Sequence, residues 1–293
     1  MDNTDITTEI TVVVDSSSVI GDEYASSGLS LLIERTNETV NEKILFDTGF
    51  QGDALLRNLD ELDVDVTKIE NIVLSHGHFD HSGGLSAVLG KTEKKPRLFC
   101  NGKIFREKIY GRKDEGKDVG ITAGNNVEFI YSHAEVVPTG DAVEIIPGLW
   151  TVSDVPRIHE NEKISGKLDN IEVLNEDGNY SKDELSEDTS LVIEAGQDEI
   201  ILIVGCGHSG IMNLIDLIHG RYPQKHLIGI IGGLQLHEKS REVILEVTQA
   251  VRSLELLFFC PLHSTGDEAL DIFEKELGDV FVRGGVGLQI VFS

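Results

Sequence analysis

The sequence predicts an α/β fold in which two β-sheets pack face to face between helices. Three observations lead there. The chain has 293 residues, enough to bury a full core. Short apolar runs rich in Val, Ile and Leu recur along it with the length and punctuation of strands. Three of those runs also end in the same way, with metal-ligand side chains, then glycine, then a helical pattern. This happens near residues 71–89, 199–218 and 256–270, so the two halves share one strand–helix grammar. No repeat of solenoid period runs through the sequence.

Residues 11–15, 29–34 and 43–47 read as strands, and the third ends in Asp47-Thr48-Gly49. Leu55, Leu56, Leu59 and Leu62 recur at helical spacing over 54–62. Thr67 and Glu70 have the form of a capping box, opening one short turn. The apolar run 71–74 then reads as a buried strand, and 85–89 as a helix. Residues 91–188 are the least regular stretch and read as an insertion over the site. Within it, 143–146 and 149–152 suggest a hairpin around Pro147-Gly148. A second hairpin is expected from 190–194 and 199–204, followed by a helix over 211–218. Strands are expected at 227–231 and 256–259, helices over 241–254 and from 267, and closing strands at 279–283 and 287–292.

The chemistry concentrates at Ser75–Gly84, which reads SHGHFDHSGG. His76 and His78 alternate and so share a face in an extended segment. Asp80 and His81 follow, and two glycines let the chain turn. These side chains sit at the C-terminal end of a strand, where α/β sheets place their sites. Neutral imidazoles with a carboxylate suit zinc, manganese or iron. His208, in Gly205-Cys206-Gly207-His208-Ser209-Gly210, and His263, in Pro261-Leu262-His263-Ser264-Thr265-Gly266, also follow buried strands. Both are therefore candidate ligands. Cys206 is either an additional thiolate ligand or a small buried side chain.

Composition narrows the function classes. The formal charge of −26 repels nucleic acid over most of the surface. The segment 91–117 is the exception: ten basic and four acidic residues give it +6, while the remainder carries −32. A basic loop in so acidic a protein is a candidate grip for an anionic substrate. Arg112 and Lys113, between Gly111 and Gly116, are the expected phosphate contacts. The alternative is pairing of this run with the acidic stretch 160–188. The three cysteines make no CxxC pair, which fits a reducing cytosol. The N-terminus lacks the pattern of a signal peptide, and no apolar run approaches bilayer length. A cytoplasmic protein without membrane association is expected. The oligomeric state is not legible.

HGHFDH matches the HxHxDH signature of the metallo-β-lactamase superfamily, and landmarks in the right order extend the resemblance over nearly the whole chain. That resemblance implies an αβ/βα four-layer sandwich, here one domain over 1–293 with the irregular insertion at about 91–188. It implies two divalent ions, zinc foremost with manganese or iron as alternatives. His76 and His78 would hold one ion, and Asp80 and His81 the other, with Asp47 bracing the ligands. Asp80 and His208 would be the catalytic residues. ILFDTG, VLSHGHFDHSGGL, VGCGHSGIMN, GGLQL and PLHSTG further resemble the branch containing dihydropterin–ribofuranosylaminobenzene phosphate synthase.

Departures from that branch fall around the metal motif. Ser26-Ser27 replaces Glu-His. Gln235 replaces a histidine, with His237 two residues on. Ser264 replaces a cysteine, and Ser153–Arg157 is a reduced version of a Thr-Gly-x-Ile-Pro-Arg segment. Gln235 and Arg157 are accordingly candidate substrate contacts, and His237 is expected to be peripheral. The function implied is a metal-dependent hydrolase or group transferase acting on an anionic, phosphorylated small molecule. The alternatives are a metal-dependent nuclease or phosphodiesterase, and a non-catalytic metal-binding sensor.

Overall fold

The structure is a computed structural model describing residues 6–111 and 115–293. In chain order its strands are β1 (Thr7–Val14), β2 (Ser30–Thr36), β3 (Asn41–Phe46), β4 (Asn71–Val73), β5 (Arg97–Cys100), β6 (Lys108–Tyr110), β7 (Lys117–Asp118), β8 (Glu135–Pro138), β9 (Glu144–Ile146), β10 (Leu149–Val152), β11 (Ile171–Leu174), β12 (Tyr180–Lys182), β13 (Ser190–Glu194), β14 (Glu199–Val204), β15 (His226–Gly233), β16 (Phe258–Leu262) and β17 (Gln289–Phe292). The helices are α1 (Gly52–Glu61), α2 (Phe79–Ser82), α3 (Leu85–Leu89), α4 (Val127–His133), α5 (Ile211–Arg221), α6 (Arg241–Arg252) and α7 (Asp267–Leu277). None of the described helices is long and apolar enough to cross a membrane.

Side-chain alternation explains the layering. Along β1, Ile10 and Val12 face one way and Val13 the other; along β2, Leu31 and Ile33 oppose Leu32; along β3, Ile44 and Phe46 oppose Leu45. All of these residues are buried, so the sheet is covered on both faces. The inward set meets Leu191, Ile193, Ile201 and Ile203 of the second sheet. The outward set packs on Leu55 and Leu59 of α1 and on Leu85 and Val88 of α3. On the far side, Ile200, Leu202 and Val204 pack on Ile211, Leu214 and Ile218 of α5 and Ile244 and Val247 of α6. Two sheets therefore lie between two helical layers, in the order α, β, β, α. Each fully buried aliphatic or Phe side chain in these layers contributes about 1.5–3 kcal/mol.

The first sheet has the order β17-β1-β2-β3-β4-β5-β8 and the second β16-β15-β14-β13-β10-β9. Antiparallel pairs build one side of each sheet. Parallel pairs β3/β4/β5 and β14/β15/β16 build the other, so the C-terminal ends of these strands collect along one edge. The loops that leave those ends carry Asp47, the HGHFDH motif, Cys206 and His208, Gln235, and His263.

Five expectations need correcting. Much of the stretch read as an irregular insertion, 91–188, is sheet: β5 and β8 complete the first sheet, and β9 and β10 the second. What stands apart is a four-stranded sheet, β12-β11-β6-β7, with the segments that flank it. The sequence hid β5 and β8 because each is only four residues long; the hairpin read at 143–146 and 149–152 is present as β9 and β10, but nothing local showed that it joins the second sheet. The turn before β4 is capped by Asp65, whose side chain accepts from Thr67 N at 3.1 Å, in place of the Thr67–Glu70 box. The strand read at 256–259 is β16, which starts at Phe258 and runs to Leu262. The strand expected at 279–283 is a 3₁₀ turn, Gly278–Val280, followed by a lone bridge between Phe281 and Phe259. The described part of the basic run does not spread over the metal cleft. Lys108 is fully buried against Asp183 and Glu187; Arg106 Nη2 lies 4.0 Å from Glu187 Oε2; Lys103 Nζ donates to Ser186 Oγ at 3.0 Å. The acidic segment thus takes up these charges. Arg112 and Lys113 lie outside the described residues.

Candidate metal centre

The site begins with Asp47, which leaves β3 with φ +60° and zero exposure. Its Oδ1 accepts from Ser75 N at 2.7 Å. Its Oδ2 accepts from Ser75 Oγ and from His81 Nδ1, each at 2.6 Å. Ser75 Oγ also lies 2.9 Å from His76 Nδ1. One buried carboxylate thereby fixes the ring planes of two histidines, directly and through a serine. Close backbone approaches hold the rest of the loop. A Cβ on Gly28, whose φ is +99°, would sit 2.0 Å from the Asp80 carbonyl oxygen; one on Gly205 would sit 2.3 Å from Ser75 Cβ. Only glycine lets these segments meet.

The imidazoles converge from both sheets. His76, His78 and His208 have ring nitrogens within 4.8 Å of one another; Asp80, His81 and His263 form a second such group; Cys206 joins His76 and His81 in a third. His208 Nε2 lies 3.1 Å from His76 Nε2, and His81 Nε2 lies 3.2 Å from His263 Nε2. His263 Nε2 is 3.5 Å from Asp80 Oδ2. Cys206 Sγ is 3.1 Å from both Gln235 Oε1 and Ser264 Oγ.

Electrostatics follow this crowding. Burial, then the neighbouring imidazoles, pushes His76 far below the ordinary histidine range; burial and His208 bring His78 down to about 3. For His81, burial acts downward but the Asp47 charge and hydrogen bond outweigh it, and the pKa rises well above normal. His263 is likewise lifted to about 9 against its burial, by Asp80 and Cys206. Burial alone would raise Asp80 and Cys206, yet the histidines hold both well below their usual values, His263 foremost for Asp80 and His208 for Cys206. The cluster is thus divided: His76 and His78 are pushed toward the neutral form, while His81, His208 and His263 are pushed toward the charged form by Asp47, Asp80 and Cys206.

This donor set fits divalent metal. Seven imidazole, carboxylate and thiol groups bring their ligand atoms together in three overlapping sets, within 4.8 Å of one another in each. His78 Nε2 is buried with no hydrogen-bond partner among the described residues. Nitrogen, sulfur and hard oxygen donors in such a cluster suit zinc and its first-row neighbours.

The adjoining cavity, about 380 Å³, is lined by His78, Asp80, Cys206, His208, Gln235 and His263, among others. His237 also lines it, although the sequence placed that residue at the periphery; its Nδ1 lies 3.3 Å from Gln235 Nε2. Arg157 lies elsewhere, in a separate cavity with Asp188 and Ser209, where its Nη2 donates to Leu185 O at 3.2 Å. From the stretch 91–188, Leu168 reaches the metal cavity. Its segment is held in place by Glu238, which accepts from Lys167 N at 2.9 Å, and by Lys239 Nζ, which bonds Lys163 O and lies 3.2 Å from Ser165 Oγ.

Sequence reasoning missed several contributors. Asp15 accepts from the backbone N–H of His263 at 2.6 Å, and Ser264 holds Cys206. The only local signal for Asp15 was an aspartate ending a strand, the same signal that marked Asp47. Leu168 carried none.

Helical layers outside two sheets, with this ligand set at the C-terminal strand edge, define a class. The chain belongs to the metallo-β-lactamase superfamily, whose family model matches residues 24–163. Two proteins of Methanocaldococcus jannaschii are similar over most of their length. The 7,8-dihydropterin-6-methyl-4-(β-D-ribofuranosyl)-aminobenzene-5'-phosphate synthase is 28% identical over 92% of this chain and 91% of its own. The uncharacterized protein MJ0448 is 30% identical over 90% and 93%. Among solved structures, Tm1679, described as a metal-dependent hydrolase of the β-lactamase superfamily, superposes with a TM-score of 0.79 at 24% identity, covering 97% of this chain and 98% of that one. A diphosphatase of the PhnP family superposes at 0.57 with 14% identity, covering 98% of each.

Proposed function

We propose that the protein is a metal-dependent hydrolase or group transferase acting on a phosphorylated small molecule. The observation that carries this reading is the meeting of two ligand groups around one thiol, beside an open cavity. His76, His78 and His208 would hold one ion, and Asp80, His81 and His263 a second, with Cys206 between them. Bound divalent ions supply Lewis acidity toward a phosphoryl or acyl oxygen and lower the pKa of water.

The chain's own residues do the rest. Asp47 and Ser75 fix the rings of His81 and His76. Asp80, kept ionised by His263 and His81, stands at the cavity wall, where its carboxylate can accept a hydrogen bond from an attacking hydroxyl and orient it. Ser264 Oγ and Gln235 Oε1 accept from Cys206 Sγ while it is a thiol, each at 3.1 Å. Gln235 and His237 offer polar contacts to a substrate, and Leu168 covers part of the opening.

The similarity to the synthase supports a phosphorylated pterin-type substrate and keeps group transfer beside hydrolysis. A nuclease reading loses support because Lys108, Arg106 and Lys103 of the basic run turn to Asp183, Glu187 and Ser186, and no described member of the run lines the metal cavity.

The test is His76→Ala, with metal content measured by plasma mass spectrometry and turnover measured on pterin pyrophosphates and bis(p-nitrophenyl) phosphate. Metal content should fall and turnover should be lost, with circular dichroism unchanged. Full metal stoichiometry in that variant would overturn the assignment.

A further inference from the structure

A histidine that binds metal through one ring nitrogen carries its proton on the other, and that N–H is ordinarily taken by an acceptor that orients the ring. Two site histidines meet this requirement: His81 Nδ1 has Asp47, and His76 Nδ1 has Ser75 Oγ. His208 does not. Its Nε2 faces His76 Nε2, so ligation through Nε2 leaves the proton at Nδ1. That Nδ1 is buried with no hydrogen-bond partner among the described residues.

A complementary group is tied to the next residue of the same loop. Asp188 is 4% exposed and leads into β13. Its Oδ2 accepts from the backbone N–H of Ser209, the residue after His208, at 2.7 Å. Its Oδ1 is buried and also without a hydrogen-bond partner among the described residues. An orphaned acceptor and an orphaned donor are thus anchored one residue apart, and the carboxylate and the imidazole lie close enough to feel each other's charge.

We propose that Asp188 is the positioning residue of His208, its free oxygen taking the Nδ1–H of that ring, directly or across one water, when Nε2 turns to a metal ion. Asp188 would then do for the second sheet's histidine what Asp47 does for His81 in the first. The proposal rests on the metal-centre reading above.

The probe is zinc, titrated against a chromophoric chelator into Asp188→Asn and the parent protein. Asparagine replaces one of the two carboxylate oxygens by an NH2 donor, so it cannot accept from Ser209 N at one oxygen and from His208 Nδ1 at the other. The expected result is an affinity about 10- to 100-fold lower for one zinc ion, with the melting temperature of the metal-free protein unchanged. A lower melting temperature with unchanged zinc affinity would mean that Asp188 only anchors the Ser209 loop, and would overturn the proposal. Imidazole nitrogen NMR on the zinc-loaded parent gives an answer independent of whether the variant folds. A His208 Nδ1–H protected from solvent exchange supports the proposal, and a rapidly exchanging one refutes it. A parent protein that binds no zinc would instead defeat the metal-centre reading itself.

Discussion

At the scale of single residues, the site is a contest between burial and charge. Burial drives His76 and His78 toward the neutral form that a metal requires, whereas Asp47, Asp80 and Cys206 favour the charged forms of His81, His208 and His263 in the absence of an ion. A metal must therefore displace protons from the second set. For His263, whose pKa stands at about 9 against a reference of 6.5, the sign is definite. In the metal-free protein its contribution to stability is full below the reference value and is lost as pH rises through about 9. Metal affinity runs the other way: proton competition weakens it at neutral pH and fades as pH approaches 9. Calorimetry at pH 7, in buffers of different ionisation enthalpy, should register proton release on zinc binding, and the apparent affinity should climb from pH 7 to 9. Binding with no proton release at pH 7 would contradict this account.

At the scale of elements, the small sheet of β6, β7, β11 and β12 is tied to the centre by one buried cation. Lys108 on β6 has no solvent exposure and meets Asp183 and Glu187, on the segment between β12 and β13. Its Cε would lie 3.2 Å from a Cβ on Gly77, so this ion cluster sits directly behind the histidine loop. Removing the cation leaves two carboxylates buried without it. Lys108→Ala should lower stability by about 3–5 kcal/mol in urea denaturation, and neutralising both acids in the same variant, as Asp183→Asn with Glu187→Gln, should recover a good part of the loss. A loss within about 0.5 kcal/mol would show that the cluster is solvated in practice. The basic run that stood out in the sequence owes at least this member to internal pairing.

At the scale of the whole molecule, a formal charge of −26 spread over 293 residues makes self-repulsion a general cost of the compact state. Salt screens repulsion between exposed groups over about 8–10 Å at physiological strength. The melting temperature of the metal-free protein should therefore rise between 10 mM and 500 mM sodium chloride, by several degrees, in a scanning calorimeter. A fall over that range would mean that attractive pairs outweigh the repulsion.

The sequence by itself determined the class of fold and the ligand set. Strand-length apolar runs with both faces buried can only be covered by layers on each side, and HGHFDH, Cys206, His208 and His263 each follow such a run. Local order was enough for both, because strand, glycine and helix are neighbours along the chain. Only the tertiary structure decided what crosses between segments. Cys206 lies at the centre of the cluster because β14 ends facing Ser75 on the other sheet, a contact no local pattern encodes. Short strands such as β5 and β8 are stabilised by their partners more than by their own residues, so the stretch around them looked irregular. Asp15, Asp188 and Leu168 reach the site from loops far away in sequence, through single hydrogen bonds or a single side chain, and one isolated acid or leucine carries no periodicity to read. The fate of the basic run was decided the same way: a charge imbalance is visible in composition, but the partner that neutralises Lys108 is fixed by packing 75 residues away.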